Sequence, residues 1–150
     1  MPAAVDIRPI AKSDHAVWKD LWTAYLTFYE STRPEAVYAK TWERLLSEGE
    51  YEPRGFIAWQ GGKAIGLTHY YFHRSCWTIE NVCYLQDLFV SPSVRGTGAG
   101  KALIEAVYAA AKTENSPSVY WNTQDFNETA RKLYDRIATK TDFIKYQRNL

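Results

Sequence analysis

No stretch of this chain approaches the roughly 18 consecutive apolar residues of a membrane span. Its opening residues, MPAAVDIRPI, hold no basic cluster followed by an apolar core. The expectation is a soluble, cytoplasmic protein with no membrane partner. Cysteine is scarce, with two in 150 residues, Cys76 and Cys83. Their separation suits neither a zinc site nor a redox pair, so two reduced, buried thiols and no metal are expected. Charge of one sign is also lacking: the net charge is +1 with 23% charged residues. That gives no electrostatic case for nucleic acid and no acidic tail. No repeat, low-complexity tract or linker divides the chain, and residues 1–150 read as one domain.

What is present is apolar and aromatic. Hydrophobic residues make up 46%, with six Trp and eleven Tyr, enough for a core that folds alone. VDIRPI alternates as a strand. Trp18, Leu21, Trp22, Tyr25, Leu26 and Tyr29 follow helical spacing behind a Ser13 or Asp14 cap. A second helix opens at Pro34, with Val37, Tyr38, Leu45 and Leu46 on its apolar side. RGFIAW and AIGLTHYYFH are strands joined by a QGGK turn, and CYLQDLFV is a third. GKALIEAVYAAAK is a helix with Leu103, Ile104, Val107 and Ala111 on one face. SVYWN reads as a short strand, NETARKLYDRI as a helix capped by Asn127, and DFIKYQRNL as a closing strand. Hairpins followed by β-α-β crossovers imply a mixed α/β sheet with helices on both faces.

SPSVRGTGAGKAL lies between a strand and a helix and places Gly96, Gly98 and Gly100 at alternate positions. A P-loop would need glycine where Arg95 stands and a hydroxyl where Ala102 stands. A dinucleotide fingerprint would need glycine at Lys101 or Leu103. Both fail. The first N–H groups of the following helix have no intrahelical partners, and with the helix dipole they favour an anion. The glycines remove Cβ atoms that would hold a bulky anion away, and Arg95 adds positive charge. The stretch reads as a pyrophosphate cradle that uses no magnesium.

Arg95, Gly98 and Gly100 fill the pattern Q/R-x-x-G-x-G/A, and the sequence here resembles the GNAT superfamily of acetyl-CoA-dependent N-acetyltransferases. YLQDLFVSPSVRGTGAGKALIEAV and ARKLY look most like members that acetylate polyamines, diamines and other small amines, and in some cases histone tails. The resemblance covers nearly the whole chain. It implies a largely antiparallel central sheet with helices on both faces, and a homodimer. The backbone of Leu88, Phe89 and Val90 would pair with the pantetheine arm of acetyl-CoA. The N–H groups of Gly96, Thr97, Gly98, Ala99, Gly100 and Lys101 would hold its pyrophosphate. Asn127 and Ala130 would meet the arm from the other side, and Tyr134 would protonate the leaving thiolate. The acceptor would be a small amine or a basic protein tail, attacking directly within a ternary complex.

Asn127, Ala130, Arg131 and Tyr134 share one helix face, so a ligand groove there is physically sensible. A phenol of pKa ~10 can protonate a forming thiolate whose thiol has pKa ~8.5. The attacking amine must itself lose a proton, and related diamine acetyltransferases carry glutamate where Gln86 stands. Glutamine is no base. Strand alternation places Gln86 and Asp87 on opposite faces, with Asp87 either in the site or structural. Glu80, a water or an already neutral amine are the other proton acceptors. His69 and His73 flank Tyr71 without a visible acid–base partner. Tyr29 and Glu30, with Phe28, form a candidate aromatic and acidic mouth for a cation. Arg131 and Lys132 are candidates for the ribose phosphate of coenzyme A. The alternative function is a non-catalytic acyl-CoA sensor, which Gln86 favours.

Overall fold

The computed structural model describes residues 3–94 and 96–150. Five strands lie in the order β1 (Val5–Pro9), β2 (Arg54–Gln60), β3 (Lys63–His73), β4 (Val82–Val90) and β5 (Val119–Tyr120). The first four pair antiparallel, and β5 runs parallel to β4. Helices α1 (His15–Phe28) and α2 (Glu35–Leu46) precede β2, α3 (Ala99–Thr113) links β4 to β5, and α4 (Glu128–Ile137) follows. Gly61 and Gly62 both have positive φ, as a two-residue turn between β2 and β3 requires.

The apolar stripes read from the sequence face the sheet. Trp18, Leu21 and Leu26 of α1 and Tyr38 and Leu45 of α2 pack on Ile57, Leu67 and Phe89. On the opposite face Ile104, Val107 and Ala111 of α3 pack on Tyr70, Phe72, Cys83 and Leu85, flanked by Leu133, Tyr134 and Ile137 of α4.

One irregularity positions the site. In the β3–β4 ladder His69 faces Asp87, but Tyr70 faces Leu85, so Gln86 is an extra, unpaired residue. Such a bulge shifts the alternation of a strand by one position. Before it, Cys83 and Leu85 face α3; after it, Phe89 faces α1, as does Asp87 opposite His69. The expectation that Gln86 and Asp87 lie on opposite faces is therefore corrected.

Two further expectations change. Residues 139–150 form no strand and are exposed throughout. Of the two thiols, Cys83 is buried but Cys76 is exposed.

Candidate active site

The glycine stretch lies where strand β4 hands over to helix α3. Gly96 and Gly98 have φ of 88° and 84°, a region in which side chains are strained, and a Cβ on either would meet no atom within 4 Å. The space beside them is open. Gly98 is the N-cap of α3, and Ala102 is the first residue to donate back to its carbonyl, 3.0 Å away. The N–H groups of Ala99, Gly100 and Lys101 lack that partner. Ala99 buries its side chain, Thr97 spends its hydroxyl on the Val94 carbonyl, and Lys101 is exposed near Glu105. These residues can therefore serve a ligand mainly through their backbone. Arg95 lies outside the described residues.

Strands β4 and β5 pair only at Cys83–Val119 and Tyr84–Tyr120, and then diverge. Beyond Tyr84 the edge of β4 facing away from β3 is open, along Leu88, Phe89 and Val90. A Cβ added at Gly100 would lie 3.7 Å from Val90 and 3.8 Å from Leu133, so the helix start, the end of β4 and α4 come together there and this position, unlike Gly96 and Gly98, faces protein. Asn127 caps α4, accepting from the Ala130 N–H at 3.4 Å. Arg131 is tied to Asp125 through two contacts, so its guanidinium is already engaged.

At the mouth of this split is a cavity of about 30 Å³ lined by Tyr29, Leu85, Gln86, Leu88, Trp121 and Tyr134, among others. The Tyr134 ring packs edge-on against Trp121 with centroids 5.3 Å apart. Burial, with a smaller contribution from Tyr29, pushes the Tyr134 phenol up to about 12. Tyr25 and Gln86 are shared with a second, open cleft of about 690 Å³ between α1, α2 and the sheet.

That cleft holds what the sequence left unassigned. His69 is 3% exposed and Asp87 8%. His69 Nδ1 is 3.0 Å from Asp87 Oδ2, and Trp18 donates its indole N–H to His69 Nε2 at 3.0 Å. Thr68 donates its hydroxyl to the Asp87 carbonyl at 2.7 Å. Burial first, and then the Asp87 carboxylate, hold the Tyr25 phenol well above its ordinary range; the same two causes raise Tyr29. Tyr71 also lines the cleft, and Arg33 and Arg44 border it. Neither arginine forms an ion pair among the described residues. Glu30 lines neither cavity; it ends α1 with φ of 54°. His73 bonds Tyr120 and the Arg74 carbonyl, away from the cleft. Sequence periodicity missed the His69–Asp87 pair because nothing local reveals the bulge that aligns them.

Residues 15–138 match the model of the acetyltransferase (GNAT) family. The chain belongs to the GNAT acetyltransferase family. It is 36% identical over 145 residues to the D-amino-acid N-acetyltransferase HPA3 of Saccharomyces cerevisiae, covering 95% of this chain and 89% of that one. It is also 37% identical over 81 residues to the thialysine N-epsilon-acetyltransferase of Mus musculus, covering 54% of this chain and 47% of the relative. The solved structure of AAC(6')-Iy in complex with a bisubstrate analogue, CoA-S-monomethyl-acetylneamine, superposes with a TM-score of 0.85 over 99% of both chains at 22% identity, a likeness of fold.

This GNAT acetyltransferase uses acetyl-CoA as its donor, as the family does. The positive-φ glycines with open space beside them and the unpaired N–H groups of α3 fit a pyrophosphate. The open edge of β4 fits an extended amide-bearing arm. Among the described residues no three His, Cys, Asp or Glu side chains converge as metal ligands, and no helix is long and apolar enough to cross a membrane.

Proposed function

We propose that this enzyme moves the acetyl group of acetyl-CoA to the primary amine of a small acceptor that also carries a carboxylate. The amine attacks directly in a ternary complex. Leu88, Phe89 and Val90 hold the pantetheine arm through their backbone, the 96–101 turn holds the pyrophosphate, and Asn127 and Ala130 flank the arm. Tyr134 donates its proton to the departing thiolate. Backbone N–H groups of β4 stabilise the tetrahedral oxyanion.

The observation that carries the acceptor class is the make-up of the larger cleft. It holds one buried carboxylate, Asp87, beside the junction with the smaller cavity, and two arginines without ion pairs at its border. An ammonium belongs at the first and a carboxylate at either of the second. A polyamine or a basic protein tail would bring only positive charge to the arginines. The likeness to a D-amino-acid N-acetyltransferase supports the same reading.

Thiol release from acetyl-CoA, measured with lysine of both hands, lysine amide, cadaverine and spermidine, tests it. The carboxylate-bearing acceptor is expected to lead its decarboxylated partner by about 10-fold or more in kcat/KM. A lead for cadaverine or spermidine overturns the acceptor class. Coenzyme A binding with no turnover on any amine restores the sensor reading.

The chain is also proposed to pair as a homodimer. Phe143, Ile144, Tyr146 and Leu150 give the 142–150 segment an exposed apolar face, each being 75% exposed or more. Such a face suits pairing with a second copy. Sedimentation at micromolar concentration should give a dimer for the full chain and a monomer after truncation at residue 139.

A further inference from the structure

We propose that Trp18 and His69 act as a positioning pair that fixes Asp87 as the carboxylate that seats the acceptor's ammonium. The proposal rests on the acetyl-transfer reading above.

The hydrogen bonds leave one arrangement. An indole nitrogen can only donate, so Trp18 must donate to His69 Nε2, at 3.0 Å. That nitrogen therefore carries no proton, and the ring proton sits on Nδ1. Nδ1 then donates to Asp87 Oδ2, 3.0 Å away. Trp18 is fully buried, so water cannot replace its N–H. Thr68 fixes the Asp87 backbone from the other side of the strand. One carboxylate oxygen is thus held by His69, and the group lines the open cleft beside Tyr25, Tyr71 and Gln86.

His69 is poorly placed as a proton carrier. Its Nε2 ends on a buried indole with no exit to solvent. Its contribution is geometric: with the Tyr25 phenol, which also bonds this carboxylate, it restricts the rotation of Asp87 about χ2. An ammonium at Asp87 is surrounded by the Tyr25 and Tyr71 rings, a favourable setting for a cation. The charged groups across the cleft are Arg33, Arg44 and Glu52.

Two measurements test the pair. Nitrogen-15 NMR of the histidine side chains in the free, full-length protein should show His69 as a single Nδ1–H tautomer at neutral pH. It should persist in Trp18→Phe, where the Asp87 carboxylate still demands a donor, and become mixed only when Trp18→Phe is combined with Asp87→Asn. An Nε2–H tautomer in the wild type overturns the lock, whatever the enzyme acetylates. Steady-state kinetics with lysine test the anchor. Asp87→Asn and His69→Leu should raise the amine KM by about 10- to 100-fold, the effect of losing a charge-assisted contact. The KM for acetyl-CoA should stay within about 2-fold on the same scale. His69→Gln, which can donate to Asp87 and accept from Trp18, should recover most of the loss. An unchanged amine KM in a folded His69→Leu protein, or a His69→Gln variant as poor as His69→Leu, overturns the proposal. A wild-type enzyme that binds coenzyme A and acetylates no amine would instead sink the functional reading, with the tautomer result standing apart from it.

Discussion

Leu85 and Asp87 are two residues apart on one strand, yet they face opposite sides of the sheet. Leu85 packs under α3, whereas Asp87 meets His69 beneath α1. The extra residue between them, Gln86, makes the difference. Deleting Gln86 would make Leu85 and Asp87 neighbours, which simple alternation sends to opposite faces, so Cys83, Leu85, Asp87 and Phe89 would all keep their layers and the ladder would lose only its bulge. The expected result is a folded protein that keeps its cooperative thermal transition. Gln86→Ala keeps the residue count and should remain folded, with a Tm within a few degrees of wild type.

The Tyr134 assignment makes two kinetic statements. Tyr134→Phe should lower kcat by about 10²-fold, the usual loss for a general acid, with the KM for acetyl-CoA little changed. Burial pushes the phenol up to about 12. The group therefore stays protonated through the neutral and mildly alkaline range, and its loss should not limit the rate below about pH 11. A fall in kcat of less than about 3-fold in the variant would remove Tyr134 from the mechanism.

The cradle is testable against an internal control. Gly98 has φ of 84° with open space on its Cβ side. Gly98→Val should cost about 1–2 kcal/mol of stability through backbone strain and weaken coenzyme A binding by an order of magnitude or more, about 10-fold. Gly66 is the contrast: an added Cβ would lie 2.7 Å from the Phe89 carbonyl, inside the sheet. Gly66→Ala should lower Tm while coenzyme A affinity, read by calorimetry on the folded fraction, holds. Equal affinity for wild type and Gly98→Val would take the cradle out of the account.

Helix faces, the QGGK turn and the glycine-lined start of α3 were legible in the sequence because each is local. Trp18, Leu21 and Leu26 lie buried on the face that helical spacing selects. Gly96 and Gly98 leave open space on their Cβ side, and they also adopt a positive φ that spacing did not announce. The acceptor side was not legible. It depends on Gln86 being a bulge, on Trp18 reaching a histidine 51 residues away, and on α2 presenting Arg44 to the cleft. Those are long-range pairings, and residue spacing carries no record of them. The closing strand failed for a related reason: 142–150 has strand-like residues, but a strand also needs a pairing partner, and the segment pairs with none of the five strands.

Alkaline stability follows from the buried phenols and thiol. Burial pushes Tyr70 and Tyr134 up to about 12 from 10.0, and Cys83 up to about 12 from 9.0; Tyr25 is raised as well. The sign is fixed by which state holds more protons. Between roughly pH 9 and 12 the unfolded chain has lost protons that the native state keeps, so stability falls as pH rises. Below about pH 9 the contribution is fully present. Urea midpoints should therefore be flat from pH 7 to 8.5 and decline steadily above about 9.5. Thiol labelling gives the local counterpart. Exposed Cys76 should react with an alkylating reagent in the native protein, and Cys83 only after denaturation, because the thiolate is the reactive form and burial suppresses it. Rapid labelling of both thiols at pH 8 in the folded state would contradict the burial of Cys83, and with it the packing of α3 on β4.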